Sequence, residues 1–183
     1  MTRHKPPMRK SEEANLNQLE LAKSQGKAYV KALKHMVELV ADAGDETRAG
    51  DYIVAYALEK PEGMYHYKDG ELVWVEPDAE NKHIEISVRD GSDDRFVYGA
   101  QVFVTLYDQD GGEVGRHQQP LLWHPWLPHY GRNWVIPGEG DYRMQVEILP
   151  PEMPRHDKKN GKRFESTVEV VFEQVPFTLK KKK

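Results

Sequence analysis

Between Ser11 and about Ala43 the apolar positions Leu16, Leu19, Tyr29, Val30, Leu33, Met36, Val37 and Val40 recur at intervals of three and four. That spacing predicts an amphipathic helix. Ser11, with Glu12 and Glu13 beside it, offers a start, and Ala43-Gly44-Asp45 a stop; Gly26 is a place for a kink. The apolar stripe needs a partner: the body of the domain, a twin helix or another protein. From Asp51 the texture changes to short runs with β-strand character. Tyr52 to Leu58 is apolar on both faces, as an inner strand is. Lys68-Asp69-Gly70 reads as a hairpin turn into Leu72 to Val75. Lys82 to Arg89 alternates cleanly. Gln101 to Tyr107 and Glu113 to His117 flank a second hairpin signal, Gln109-Asp110-Gly111-Gly112. Leu121 to His124, Asn133 to Ile136, Tyr142 to Ile148 and Ser166 to Phe172 complete about eight or nine strands with no helical stretch between them. This pattern predicts a mainly β fold, an immunoglobulin-like antiparallel β-sandwich with an N-terminal α-helix. The organisation it implies is a disordered leader over 1–10, helix and linker over 11–50, the sandwich over 51–179 and a basic tail over 180–183.

Composition narrows the function. The 183 residues carry a net charge of −4 and no cysteine. Without a domain-wide basic field, nucleic-acid binding has no support. Disulfides, thiolate metal sites and a cysteine nucleophile are excluded. Any metal must be held by His, carboxylate, Met, backbone or water. No run approaches the ~20 apolar residues of a membrane helix. The opening MTRHKPPMRK leads into no apolar stretch, so as written the expectation is a cytoplasmic protein, or one whose export signal has been removed.

The densest stretch, Trp123 to Gly131, reads WHPWLPHYG. Its prolines fix the backbone and its aromatics add rigid bulk around His124 and His129. Alone it reads equally as a rigid plug at one end of the sandwich. Over Lys82 to Arg89, alternation puts Ile84, Ile86 and Val88 on one face and His83, Glu85 and Ser87 on the other. With the isoleucines in the core, His83 and Glu85 point outward together, their Cα atoms roughly 6.5–7 Å apart. An imidazole and a carboxylate at that separation can reach one ion or two adjacent ions. Leu122 and His124 share a face if their segment is extended, and Gly131 permits a tight turn after His129. His156 lies in an irregular polar loop. Imidazole nitrogens suit Zn, Cu and Fe, and these segments could converge at one end of a sandwich. Read alone, the alternatives are an ordinary polar strand face and solvated loop histidines.

Pro128-His129-Tyr130-Gly131, Ile136-Pro137-Gly138-Glu139-Gly140-Asp141-Tyr142, Pro150-Pro151, Arg155-His156 and a Lys-x-x-Gly step occur in that order. With His83-Ile84-Glu85 and Pro61-Glu62-Gly63-Met64 upstream, they make residues 51–175 resemble the bacterial ferrous-iron transport accessory proteins. The resemblance implies a small extracytoplasmic β-sandwich that binds iron and copper, works with a membrane iron permease and in many cases forms a homodimer. It places His83, His129 and His156 at copper-binding histidines and Glu85 at a second-site carboxylate. Two positions depart: Leu122 stands where the family has a ligand methionine, and Trp126 where it has an aspartate. Losing the thioether removes the soft ligand that favours Cu(I); His124 is placed to supply a ligand instead. The expected function is therefore capture of Fe2+ or Cu2+, with Zn2+ possible, through His83, Glu85, His129, His156 and His124. The competing readings are a metal-dependent enzyme using the same histidines and a protein-interaction module without metal.

Overall fold

The strand that alternates so cleanly in the sequence lies in the middle of the molecule and is buried along its whole length. In the computed structural model, residues 5–179 are described; the expected basic tail at 180–183 and residues 1–4 of the expected leader lie outside the described residues. The elements run α1 (Leu16–Leu39), β1 (Ala43–Ala49), β2 (Tyr52–Glu59), β3 (Met64–Lys68), β4 (Glu71–Val75), β5 (Lys82–Asp90), β6 (Gln101–Tyr107), β7 (Glu113–Gln119), β8 (Leu121–Leu122), β9 (His129–Trp134), β10 (Gly140–Leu149) and β11 (Val168–Phe177). They form a five-stranded sheet in the order β1-β2-β5-β9-β8, a four-stranded sheet β11-β10-β6-β7, and a separate hairpin β3-β4. Every strand pairing within these sheets is antiparallel. The mainly β sandwich with one N-terminal helix is the expected architecture.

The core follows from the period-2 rule. Tyr52, Val54, Tyr56 and Leu58 of β2 and Ile84, Ile86 and Val88 of β5 face Val102, Val104, Leu106, Met144, Val146 and Ile148 of the other sheet. The opposite face of the five-stranded sheet is covered too. Leu33 and Met36 of α1 join Ala55, Ala57 and Leu127 in a second apolar cluster. This is why β5 shows no exposed side: its isoleucines meet the core while its polar face lies under the helix and the loop before β9. The expectation that His83 and Glu85 point away from the isoleucines holds, but they point into a covered layer rather than to solvent.

Several boundaries differ from the sequence reading. Asn15, not Ser11, caps α1: its Oδ1 accepts from Gln18 N–H at 3.0 Å, and the Gln18 side chain accepts from Asn15 N–H at 2.8 Å. Ala43-Gly44-Asp45, expected as a stop, opens β1, which pairs along β2. The hairpin turn is as expected, with Asp69 and Gly70 both at positive φ. Over its described part the expected disordered leader is tied to the body: Lys5 N–H donates to Asp51 and Arg9 N–H to Asn160, and the Pro6 carbonyl accepts from Arg163.

Gly26 does not kink the helix; it lets the helix dock. A Cβ at this position would lie 1.7 Å from the Asp93 carbonyl oxygen, against fixed backbone. Gly26→Ala should therefore destabilise the fold by at least about 1–3 kcal/mol, the range for overpacking, although alanine is the better helix former. Urea denaturation measures this; a stability gain would show that the helix does not seat against that loop.

Candidate metal centre

The register across the five-stranded sheet assembles the candidate site. Glu85 lies opposite Gly131 and His83 opposite Asn133 on β9, while Glu59 of β2 lies opposite His83. His129 stands on the same face as Gly131, at the start of β9. His83, Glu85 and His129 thus share one patch, all buried, and each offers a donor atom within 4.8 Å of the others. Gly131 is needed there for space, not for a turn, since its φ is ordinary. A Cβ on it would fall 2.8 Å from His83 Nε2 and 3.0 Å from His129 Cδ2. The glycine keeps the floor open between the two rings.

Each ring is aimed by its other nitrogen. His83 Nδ1 is 2.8 Å from Asn133 Oδ1. That oxygen is the acceptor end of the amide, because Asn133 Nδ2 donates to the Glu62 carbonyl at 2.7 Å and Oδ1 accepts from Glu62 N–H. His129 Nδ1 donates to the Leu127 carbonyl at 2.9 Å. With the proton held at Nδ1 in both rings, both Nε2 lone pairs face the shared space, and neither has a hydrogen-bond partner among the described residues. His129 Nε2 lies 3.3 Å from Glu85 Oε1 without bonding it. Imidazoles oriented by an outer acceptor, lone pairs converging beside a carboxylate, are how metal-binding histidines are held. The donor set therefore fits a divalent cation.

Burial sets the protonation. It holds His129 down to about 4 and lowers His83, against the opposing pull of the Asn133 hydrogen bond. It pushes Glu85 up to about 8, with Glu59 and Glu62 adding repulsion. Glu59 rises to about 7, again through burial first and then Glu62 and Asp42; its Oε1 is buried without a hydrogen-bond partner among the described residues. At neutral pH the imidazoles are uncharged and Glu85 is protonated. A bound cation would reverse the last point and displace the Glu85 proton.

The other expected ligands fall outside this cluster. His124 is half-buried beside it, its ring 5.8 Å from that of His129. Its Nδ1 accepts from Leu127 N–H at 3.3 Å, so the neutral ring carries its proton on Nε2. Leu122 pairs with His129 across β8 and β9, on the same face. Trp126 packs edge-on against His35 of α1 and His124. His156 is exposed in the segment after β10, which is fastened to the far end of β5: Arg163 grips Asp90 through two 2.9 Å bonds, and Arg155 binds the Pro151 and Arg163 carbonyls. Asp90 lies seven residues along β5 from His83, about 23 Å at strand rise. The structure does not bring His156 to the cluster of its own chain.

Sequence reasoning missed Asn133, Glu59 and Leu127. Glu59 had a signal, a lone carboxylate ending an otherwise apolar strand. Asn133 had none, because its role depends on register across two strands.

With this geometry in hand, similarity to known proteins can be placed. The model of the Fe2+ transport protein family matches residues 42–178, and the chain belongs to that family. No curated protein matches the sequence. Among solved structures, a copper-bound variant of FetP from uropathogenic Escherichia coli is similar at a TM-score of 0.60 and 20% identity, covering 76% of this chain and 92% of that one. FetP as isolated, recombinantly expressed in the periplasm of E. coli, matches at 0.58 and 21% identity, covering 74% and 95%. Copper-reconstituted P19 from Campylobacter jejuni matches at 0.58 and 19% identity, covering 74% and 96%. These likenesses establish the fold.

The buried carboxyl gives a stability signature independent of any metal. Glu85 titrates at about 8 in the fold against 4.5 as its ordinary value. The folded state therefore keeps this proton longer, so Glu85 should make metal-free protein lose stability as pH rises, most visibly from about 6.5 to 8; below 6.5 the lowered pKa values of His129 and His83 act in the opposite sense. The slope is at most about 1.4 kcal/mol per pH unit for one group. Thermal melts of Glu85→Gln should lose that slope while keeping the fold; an unchanged profile would show that Glu85 is not the group responsible.

Proposed function

We propose that this chain is a metal-binding accessory protein of iron uptake that captures Fe2+ or Cu2+ at His83, Glu85 and His129 and hands it to a membrane permease. The observation that carries this reading is the pair of buried Nε2 lone pairs, each fixed from behind and converging beside the Glu85 carboxyl. Two neutral imidazoles and a carboxylate suit Fe2+, Cu2+ and Zn2+; the absence of sulfur disfavours Cu(I). Glu59 and Glu62 add negative potential on the His83 side, as their effect on Glu85 indicates, and attract a cation toward the donors. Family membership supports the iron-uptake setting. The copper in the FetP and P19 structures supports the choice of ions to test. The periplasmic expression of FetP supports an extracytoplasmic site of action. No helix of the described residues is long and apolar enough to cross a membrane.

In this reading His124 is a neighbour that joins the ion only after giving up its bond to Leu127. His156, held at the far end of its own chain, contributes a ligand only by way of a second copy, which the expected homodimer would supply. The role in this reading is capture and release, in keeping with membership of the Fe2+ transport protein family.

Titration of metal-free protein tests this. Wild type should bind Cu2+ and Fe2+ more tightly than about 10 µM, roughly −7 kcal/mol. His83→Ala and His129→Ala should each weaken binding by at least about tenfold, or 1.4 kcal/mol. Wild type that binds none of Cu2+, Fe2+ and Zn2+ at that level would contradict the reading, and metal-dependent turnover would favour an enzyme. Leu122→Met returns a thioether beside His129 and should raise Cu(I) affinity about tenfold; competition against a Cu(I) chelator reads this, and unchanged affinity would dismiss the argument from the missing sulfur.

A further inference from the structure

The family model begins at residue 42, whereas α1 ends at Leu39. The helix therefore lies outside the matched body, yet it packs against the side of the cluster formed by Glu85 and His129. Tyr29 and Leu33 line one enclosed gap with Ala57, Glu85, Leu127 and His129, and the gap has no room for a water molecule. The Tyr29 hydroxyl donates to the Pro128 carbonyl at 2.8 Å, in the peptide that precedes His129, and lies 3.2 Å from the Ser87 hydroxyl on the Glu85 face of β5. Leu33 and Met36 share an apolar cluster with Leu127, which is fully buried although it belongs to a loop. His35 meets the edge of Trp126 at 5.7 Å. Four successive contacts of one helix thus hold the proline-rich loop 123–128 down over the cluster.

The same loop carries the acceptor that aims His129, the Leu127 carbonyl. Pinning the loop fixes the imidazole and excludes water from one side of it. Prolines at 125 and 128 leave the loop few internal hydrogen bonds of its own, so its position depends on what it packs against. Along α1 itself the buried positions are few (Ala22, Gly26, Leu33 and Met36), while Leu16, Leu21 and Leu39 are exposed. A helix held at so few points can open locally without unfolding the sandwich.

We propose that α1 is a clamp on the candidate metal centre: by holding loop 123–128 over His83, Glu85 and His129, it sets the rate at which an ion enters and leaves, while the three donors set the affinity. This inference rests on the reading of the cluster as a metal centre, and it adds Tyr29, Leu33 and Met36 as positioning residues on a segment outside the family body.

The experiment is stopped-flow transfer of Cu2+ from the full-length protein to excess EDTA, with the reverse loading step measured alongside. In Leu33→Ala/Met36→Ala, release and loading should both accelerate about tenfold, leaving the dissociation constant within about threefold of wild type. Tyr29→Phe, which keeps the ring and removes only the hydroxyl bonds, should accelerate both about threefold, and it serves where the double variant does not fold. Amide hydrogen exchange at Leu127 should speed up in the same order. Rates within twofold of wild type in a folded variant would overturn the clamp. So would faster release with no faster loading, which would make the helix residues contributors to affinity instead. If wild type holds no Cu2+, both this inference and the metal reading fail; if His129→Ala abolishes binding while the helix variants leave the rates alone, only the clamp fails.

Discussion

The structure turns on a strand that has no solvent-facing side. β5 sits at the centre of the five-stranded sheet with its aliphatic face in the sandwich core and its polar face under α1 and the loop before β9. Burying His83, Glu85 and His129 together, with no Lys or Arg of the described residues paired to them, costs free energy that apolar residues would not cost. The fold limits that cost by holding all three groups uncharged: the histidines fall in pKa and Glu85 rises. What remains unmet is the two Nε2 lone pairs. A divalent cation satisfies both at once and supplies the charge that would let Glu85 ionise.

The supporting parts are matched to that need. Asn133 ties His83 to the Glu62 peptide, at the root of the β3-β4 hairpin, so the orientation of one imidazole depends on a segment outside both main sheets. Gly131 keeps the floor clear. The Leu127 carbonyl aims His129, and Leu127 itself is wedged beneath the helix. The far end of β5 is built quite differently. There Arg163 pairs with Asp90 and fastens the segment after β10, while Arg89 pairs with Glu46 of β1 and with Asp94 of the following loop. At the near end Lys82 is likewise paired with Asp42 at 2.6 Å, but the adjacent His83 and Glu85 have no Lys or Arg partner among the described residues. That contrast is why His83 and Glu85, rather than the ion-paired residues, read as a binding site.

The sequence carried the parts of this picture that depend on period and local chemistry. Alternation over Lys82 to Arg89 separated His83 and Glu85 from the isoleucines, and the Lys68-Asp69-Gly70 signal located the hairpin. The family motifs brought His129 into the same argument. Register was not legible, because it is set by pairing between distant strands; Asn133 and Glu59 were missed for that reason. Nor was the covering of the polar face. The apolar stripe of α1 showed that the helix needed a partner, but not that the partner was a loop lying on the proposed ligands. Ser11 looked like the cap because it is a serine before an acidic pair, yet its hydroxyl bonds Asp157 and the turn ahead of the helix, and Asn15 with Gln18 forms the reciprocal box. His156 matched a motif, and only the three-dimensional tether of its loop to Asp90 separates it from the cluster in the chain.

The central claim is that His83 and His129 coordinate one ion together through Nε2. Electron paramagnetic resonance of the Cu2+-loaded protein reads the equatorial nitrogens directly through their hyperfine coupling. The expected spectrum shows two equivalent imidazole nitrogens with oxygen completing the plane, falling to one in His83→Ala and to one in His129→Ala. A wild-type spectrum without imidazole nitrogen, or one that neither substitution changes, would contradict the account.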